Sequence, residues 1–149
     1  MKLREELPEF PRHLQWINGQ ITSDQIKGDV PVIIHFWSIS CNSCKNAMGY
    51  INRWKSLYGN RFKIISIHMP RTSEDVNDYL IKQTAYQLNL TNPICLDHEL
   101  LVTKLFQTRT VPAYYLFDKK ALLRHYQSGE QGMQMLERRL VYLMKEQKN

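Results

Sequence analysis

Apolar residues fall into blocks whose spacing switches between strand-like and helix-like several times along the chain. Val30 to Trp37 is a nearly continuous apolar run rich in β-branched and aromatic residues, the pattern of a strand covered on both faces. After Cys41, apolar residues at Cys44, Ala47, Met48, Ile51, Trp54, Leu57 and Tyr58 recur at helical spacing until Gly59-Asn60 stops them. The pattern predicts a central strand feeding a helix. Phe62 to Met69 reads as a second strand, ended by Pro70, which cannot donate to a ladder. A helix is predicted from about Ser73 to Gln87, with Ser73 as N-cap, Glu74 and Asp75 in an acidic first turn, and Val76, Tyr79, Leu80, Gln83, Ala85 and Leu88 carrying it.

Beyond this point the elements shorten. Pro93 to Leu96 is a short strand and Glu99 to Phe106 a short helix; Ala113 to Phe117 is a strand bounded by Pro112 and Asp118-Lys119-Lys120, with Leu122 to Gln127 pairing back as a hairpin. A final helix from about Glu130 to Glu146 aligns Met133, Leu136, Leu140, Leu143 and Met144 on one face. The residues up to Gly28 read as an extended lead-in, with Asn18-Gly19 signalling a short hairpin. The order β-α-β-α-β-α-β-β-α is an α/β sheet with mixed strand directions.

At 149 residues the chain is expected to form one domain, residues 1–149, with residues 1–28 as an N-terminal extension. Hydrophobic residues make up 43%, enough apolar material to exclude wholesale disorder. Twenty basic residues exceed fourteen acidic ones, for a net charge of +6. The excess is local, with five bases and no acid from Lys45 to Lys63 and nine bases against four acids over residues 101–149, but it forms no dense stripe with exposed aromatics, so no nucleic-acid partner is expected. The longest apolar stretch is far short of the roughly 20 residues a bilayer demands, and the first residues hold no apolar run of signal-peptide type. No membrane association is expected, the expected location is the cytoplasm, and a monomer is the default.

Three cysteines in a reducing compartment argue against a disulfide scaffold. Two of them, Cys41 and Cys44, stand at the predicted strand-to-helix junction. Thiolates are the nucleophiles of disulfide exchange, and unpaired N–H groups at a helix N-terminus stabilise an anion there. Cys41 is therefore the predicted attacking nucleophile, and Cys44, one turn deeper, the resolving thiol. A zinc site would need further ligands, for which Cys95 and His98 are the remote candidates; Cys95 otherwise reads as an inert buried thiol.

The run His35-Phe36-Trp37-Ser38-Ile39-Ser40-Cys41-Asn42-Ser43-Cys44, followed by Thr110-Val111-Pro112-Ala113-Tyr114 and Phe117-Asp118, resembles the thioredoxin superfamily, in particular its TlpA/ResA-like thiol-disulfide oxidoreductases. The resemblance spans essentially the whole chain. It implies a thioredoxin-like fold, a central mixed β-sheet flanked by helices with an extra helix inserted between Pro70 and Pro93. It implies a cis peptide before Pro112, with Val111 and Pro112 binding an extended substrate segment, and Trp37 flanking the site. The implied partners are disulfide-bearing proteins and an electron-donor thiol system, with no metal and no cofactor beyond the Cys41-Cys44 disulfide. The alternatives are a thiol peroxidase-like enzyme, for which Ser38 is a partial echo of the expected threonine, and a non-catalytic binding or zinc-holding module.

The departures are specific. Thioredoxins carry a buried Asp six residues before the first cysteine, where this chain has His35, and the Glu that ResA-type proteins often place three residues after the second cysteine is Ala47. His35 is then the candidate acid/base group, with His68 a weaker one. Ser40 and Ser43 replace the usual Trp and Pro, changes that bear on redox poise.

Overall fold

The structure, a computed structural model, describes residues 1–146. Six strands form one sheet in the order β1-β4-β3-β2-β5-β6. The strands are β1 Gln15–Ile17, β2 Val32–Trp37, β3 Lys63–His68, β4 Ile94–Leu96, β5 Ala113–Phe117 and β6 Leu123–Ser128. β2, β3 and β4 run parallel, while β1, β5 and β6 each run antiparallel to a neighbour. The helices are α1 Ser23–Ile26, α2 Asn42–Tyr58, α3 Asp78–Gln87, α4 Leu101–Phe106 and α5 Met133–Glu146. This is the mixed α/β sheet that the residue pattern predicts, with α3 as the helix between Pro70 and Pro93.

β2 lies at the centre and is buried at every position, which is why its sequence shows no alternation. Its side chains nevertheless divide between two cores. Ile33 and Trp37 join Cys41, Cys44, Ile51, Trp54, Leu136 and Leu140 under α2 and α5, whereas Val32, Ile34 and Phe36 pack with Phe106, Tyr115 and Phe117 on the other face. The five apolar positions predicted for the last helix are all buried, as are Cys44, Ala47, Met48, Ile51 and Trp54 of α2; Leu57 ends exposed and Tyr58 half-buried.

Three local predictions are corrected. The Asn18-Gly19 turn does form, with both residues at positive φ, but no return strand follows it. β1 instead pairs antiparallel with β4, Trp16 opposite Cys95, and the chain after the turn enters α1 through a capping box on Thr22. The lead-in is also fastened at its start: Leu7 and Phe10 are buried, and Arg4 and Leu7 donate backbone bonds to Leu123 and Ala121.

The helix predicted from Ser73 breaks into a 3₁₀ turn, Ser73–Asp75, and then α3 proper. Asn77 is the N-cap, its side-chain oxygen accepting from the Leu80 N–H, while Ser73 makes no capping bond. The break turns the first part of the expected face outward, exposing Val76, Tyr79 and Leu80, while Ala85 stays buried beside Ile81 and Thr84 and Leu88 packs half-buried against the same core. Asn77→Ala is expected to cost about 1 kcal/mol in a thermal melt, with Ser73→Ala close to neutral; equal losses would return the cap to Ser73.

Candidate active site

The chain leaves the buried end of β2 at Trp37, crosses Ser38, Ile39 and Ser40, and enters α2 with Cys41 as the N-cap residue. Cys41 and Cys44 are joined as a disulfide. The Cys44 N–H donates to the Cys41 sulfur at 3.1 Å, and Ser43 Oγ lies 3.4 Å from the same atom. An N-cap atom receives the orphan N–H groups and the positive end of the helix dipole, which is where negative charge on sulfur is best held. Cys44 is fully buried and Cys41 nearly so; Cys41 lies between exposed Ser40 and Asn42, and Cys44 between half-buried Ser43 and exposed Lys45.

The Val111-Pro112 peptide is cis. Val111 is half-buried and packs against the core that holds both cysteines, so the structure gathers Val111, Trp37, Cys41 and Cys44 around one cluster. Trp37 lies wholly inside that cluster, edge-on to His68 at 5.2 Å, behind the disulfide rather than on the surface beside it.

His35 is buried between its register partners, Ser66 of β3 and Tyr114 of β5. Its ring stacks on Tyr114 at 5.2 Å, and Nδ1 lies 2.8 Å from Ser66 Oγ. Asn92 donates to that same serine oxygen at 2.9 Å, while the other ring nitrogen, Nε2, is buried without a partner. Burial, helped by the Lys55 charge, lowers the His35 pKa to about 3, so the ring is neutral at ordinary pH. His68, likewise buried, is lowered to about 4, and its Nε2 accepts the Ile39 N–H at 3.3 Å.

Two residues that sequence reasoning passed over touch the approach to Cys41. Asp75 is buried, and its Oδ2 accepts from Ser38 Oγ at 3.0 Å, Ser40 Oγ at 2.9 Å and the Arg71 N–H at 2.8 Å. Burial pushes its carboxyl up, but these bonds and one from the Thr72 N–H outweigh it and hold the group below the usual range. The Arg71 guanidinium donates to Ser40 Oγ at 3.1 Å and to the Ser40 carbonyl. No local signal marks these contacts, because the partners lie more than thirty residues apart in sequence.

Ser38, the echo of a peroxidatic threonine, spends its proton on Asp75. Cys95 packs in the opposite core from Cys41 and Cys44, and His98 is paired with Asp78 at 2.7 Å, so neither completes a metal site with the cysteine pair. Among the described residues no group of three or more His, Cys, Asp or Glu side chains is gathered to hold a metal, and no helix is long and apolar enough to cross a membrane.

A helix-capping cysteine pair at the C-terminal end of a central parallel strand, with a cis proline on the adjoining loop, defines the protein as a thioredoxin-fold thiol-disulfide oxidoreductase. The chain belongs to the AhpC/TSA family, whose model matches residues 3–126. It is 44% identical over 140 residues to the thiol-disulfide oxidoreductase YkuV of Bacillus subtilis (strain 168), covering 94% of this chain and 95% of that one. It is 27% identical over 138 residues to the thiol-disulfide oxidoreductase ResA of Bacillus thuringiensis subsp. konkukian (strain 97-27), covering 92% of this chain and 76% of ResA. Among solved structures, the solution structure of a thioredoxin-like protein in the oxidized form superposes with a TM-score of 0.89 at 42% identity, covering 98% of this chain and 99% of the other.

Proposed function

We propose that the reduced protein donates electrons to disulfide-bearing proteins through Cys41 and Cys44. The Cys41 thiolate attacks a substrate disulfide, forming a mixed disulfide and releasing one substrate thiolate. The Cys44 thiolate then attacks the Cys41 sulfur, releasing the second substrate thiolate and leaving the Cys41-Cys44 disulfide. Two electrons pass to the substrate, whose two sulfurs take up protons. An external dithiol reverses the exchange, with no metal or organic cofactor in the cycle. Val111 and Pro112 provide the docking edge, where main-chain pairing gives affinity with little demand on substrate sequence.

The observation that carries this reading is Cys41 as N-cap of α2 with Cys44 buried one turn behind it. Electron flow toward substrate is supported by the donors on the Cys41 sulfur, a backbone N–H and a serine hydroxyl, both neutral. Neutral donors stabilise a thiolate less than a cation does, which favours the reducing end of the roughly −270 to −120 mV range of such proteins. A reductant of this kind belongs in a reducing compartment, the cytoplasm, where the buried Cys95 stays a free thiol.

Equilibration with glutathione buffers, read by thiol trapping with Cys41→Ser as blank, is the test. One two-electron transition near the thioredoxin end, with Cys95 reduced throughout, is the expected result. Failure to form the Cys41-Cys44 disulfide at any poise overturns the redox reading, and a potential near the oxidising end reverses the direction of flow.

A further inference from the structure

The three residues leading into Cys41 are each tied to the stretch between His68 and Asp75. Ile39 is held through its N–H by His68, Ser38 and Ser40 through their hydroxyls by Asp75, and Ser40 again, through its carbonyl and hydroxyl, by Arg71. Arg71 itself is fixed because its own N–H is bound to Asp75. A buried anion and a surface cation thus meet on Ser40, one residue before the N-cap cysteine.

We propose that Arg71 and Asp75 are positioning residues for Cys41, which clamp the Ser38–Ser40 segment and, with opposite signs, set how strongly the reduced form of the Cys41-Cys44 pair is favoured. The proposal rests on that pair being the redox centre. A guanidinium anchored on the Ser40 carbonyl stabilises charge on the adjacent sulfur, and the stabilisation is lost when the disulfide forms. Arg71 therefore favours the dithiol. The Asp75 carboxylate opposes a nearby thiolate and favours the disulfide, while the bonds it accepts from Ser38, Ser40 and the Arg71 N–H fix the path by which both charges act. The other titratable or charged groups on the elements around Cys41 include His35 and His68, Glu74 beside Asp75, Lys45, Arg53 and Lys55 of α2, and Arg109 before Val111, and all of them remain in every variant below. Both histidines are neutral near pH 7.

The experiment uses the full chain carrying Arg71→Gln, Arg71→Lys or Asp75→Asn. For each, the glutathione equilibrium is measured by thiol trapping and Cys41 ionisation by the ultraviolet absorbance of its thiolate. Arg71→Gln is expected to move the equilibrium about three- to tenfold toward the disulfide and to raise the Cys41 pKa, the scale of one removed charge at short range near a protein surface. Arg71→Lys should stay near wild type, and Asp75→Asn should move both readouts the opposite way from Arg71→Gln. A merely structural clamp would lower the melting temperature in both variants without opposite shifts in the equilibrium, and that result overturns the proposal. Should Asp75→Asn fail to fold, the Arg71 pair decides: Gln and Lys behaving alike sinks the idea. If the wild type itself forms no reversible disulfide, it is the redox reading that has failed, before any variant is compared.

Discussion

Cys44→Ser protein mixed with a disulfide-bearing protein is expected to stop at a covalent one-to-one adduct through Cys41, with turnover lost by on the order of a thousandfold or more. The size follows from replacing an intramolecular resolving step with attack by thiols from solution, since well-placed neighbouring groups act at effective concentrations no solution thiol reaches. Geometry assigns the roles. Cys41 caps α2 beside exposed Ser40 and Asn42, whereas Cys44 is fully enclosed, so only the first can meet a substrate before the second meets the first. Cys95 cannot take over resolution: it packs in the core on the far face of the sheet, and burial together with the Asp97 charge pushes its thiol pKa strongly upward. The adduct should therefore persist on a non-reducing gel and by mass, disappear on adding a small dithiol, and be absent from Cys41→Ser. Adduct formation by Cys41→Ser and not by Cys44→Ser would exchange the two roles.

How much of this was legible in the residues depends on how local each signal is. The strand into α2, the cysteine pair at their junction and the buried face of α5 follow from spacings of three and four residues and from a helix-stop Gly59, so they read directly from the chain. β5 keeps its predicted bounds because Pro112 and Asp118 punctuate it on both sides. The failures are non-local. β1 spans three residues whose partner, β4, lies almost eighty positions away, and no short-range pattern announces such a pairing. Ser73 looks like a cap because an acidic turn follows it, yet Asp75 is claimed by Ser38, Ser40 and Arg71; the turn closes there, and Asn77 opens the helix instead. The same displacement turns Val76, Tyr79 and Leu80 to the surface. At the site, the two cysteines were readable, whereas Arg71 and Asp75 reach it only through the fold, and His68, named only as a weaker acid/base candidate, turns out to hold the Ile39 N–H.

Acid is expected to destabilise the protein from just below neutrality, by on the order of 2 kcal/mol between pH 6 and pH 5. The sign follows from His35 and His68, whose folded pKa values are lowered by burial to about 3 and about 4 against an ordinary 6.5. Between those values the unfolded chain binds two protons that the folded chain refuses, so stability rises with pH through this window. It is present in full above about 6.5 and is lost as pH falls toward 4, each proton contributing roughly 1.4 kcal/mol per pH unit. Asp75, held below the usual carboxylate range by its hydrogen bonds, loses its contribution in the same direction only at lower pH. Melting temperatures from pH 7 to pH 4.5 are the measurement, with His68→Gln as the diagnostic variant: the amide oxygen keeps an acceptor for the Ile39 N–H but does not titrate, so the slope should fall by about half whatever happens to its absolute level. A flat profile in the wild type, or an unchanged slope in His68→Gln, would remove the histidines from the account. The consequence reaches the cysteines, because a protonated His68 cannot accept from Ile39, and the segment leading into Cys41 then depends on Asp75 and Arg71 alone.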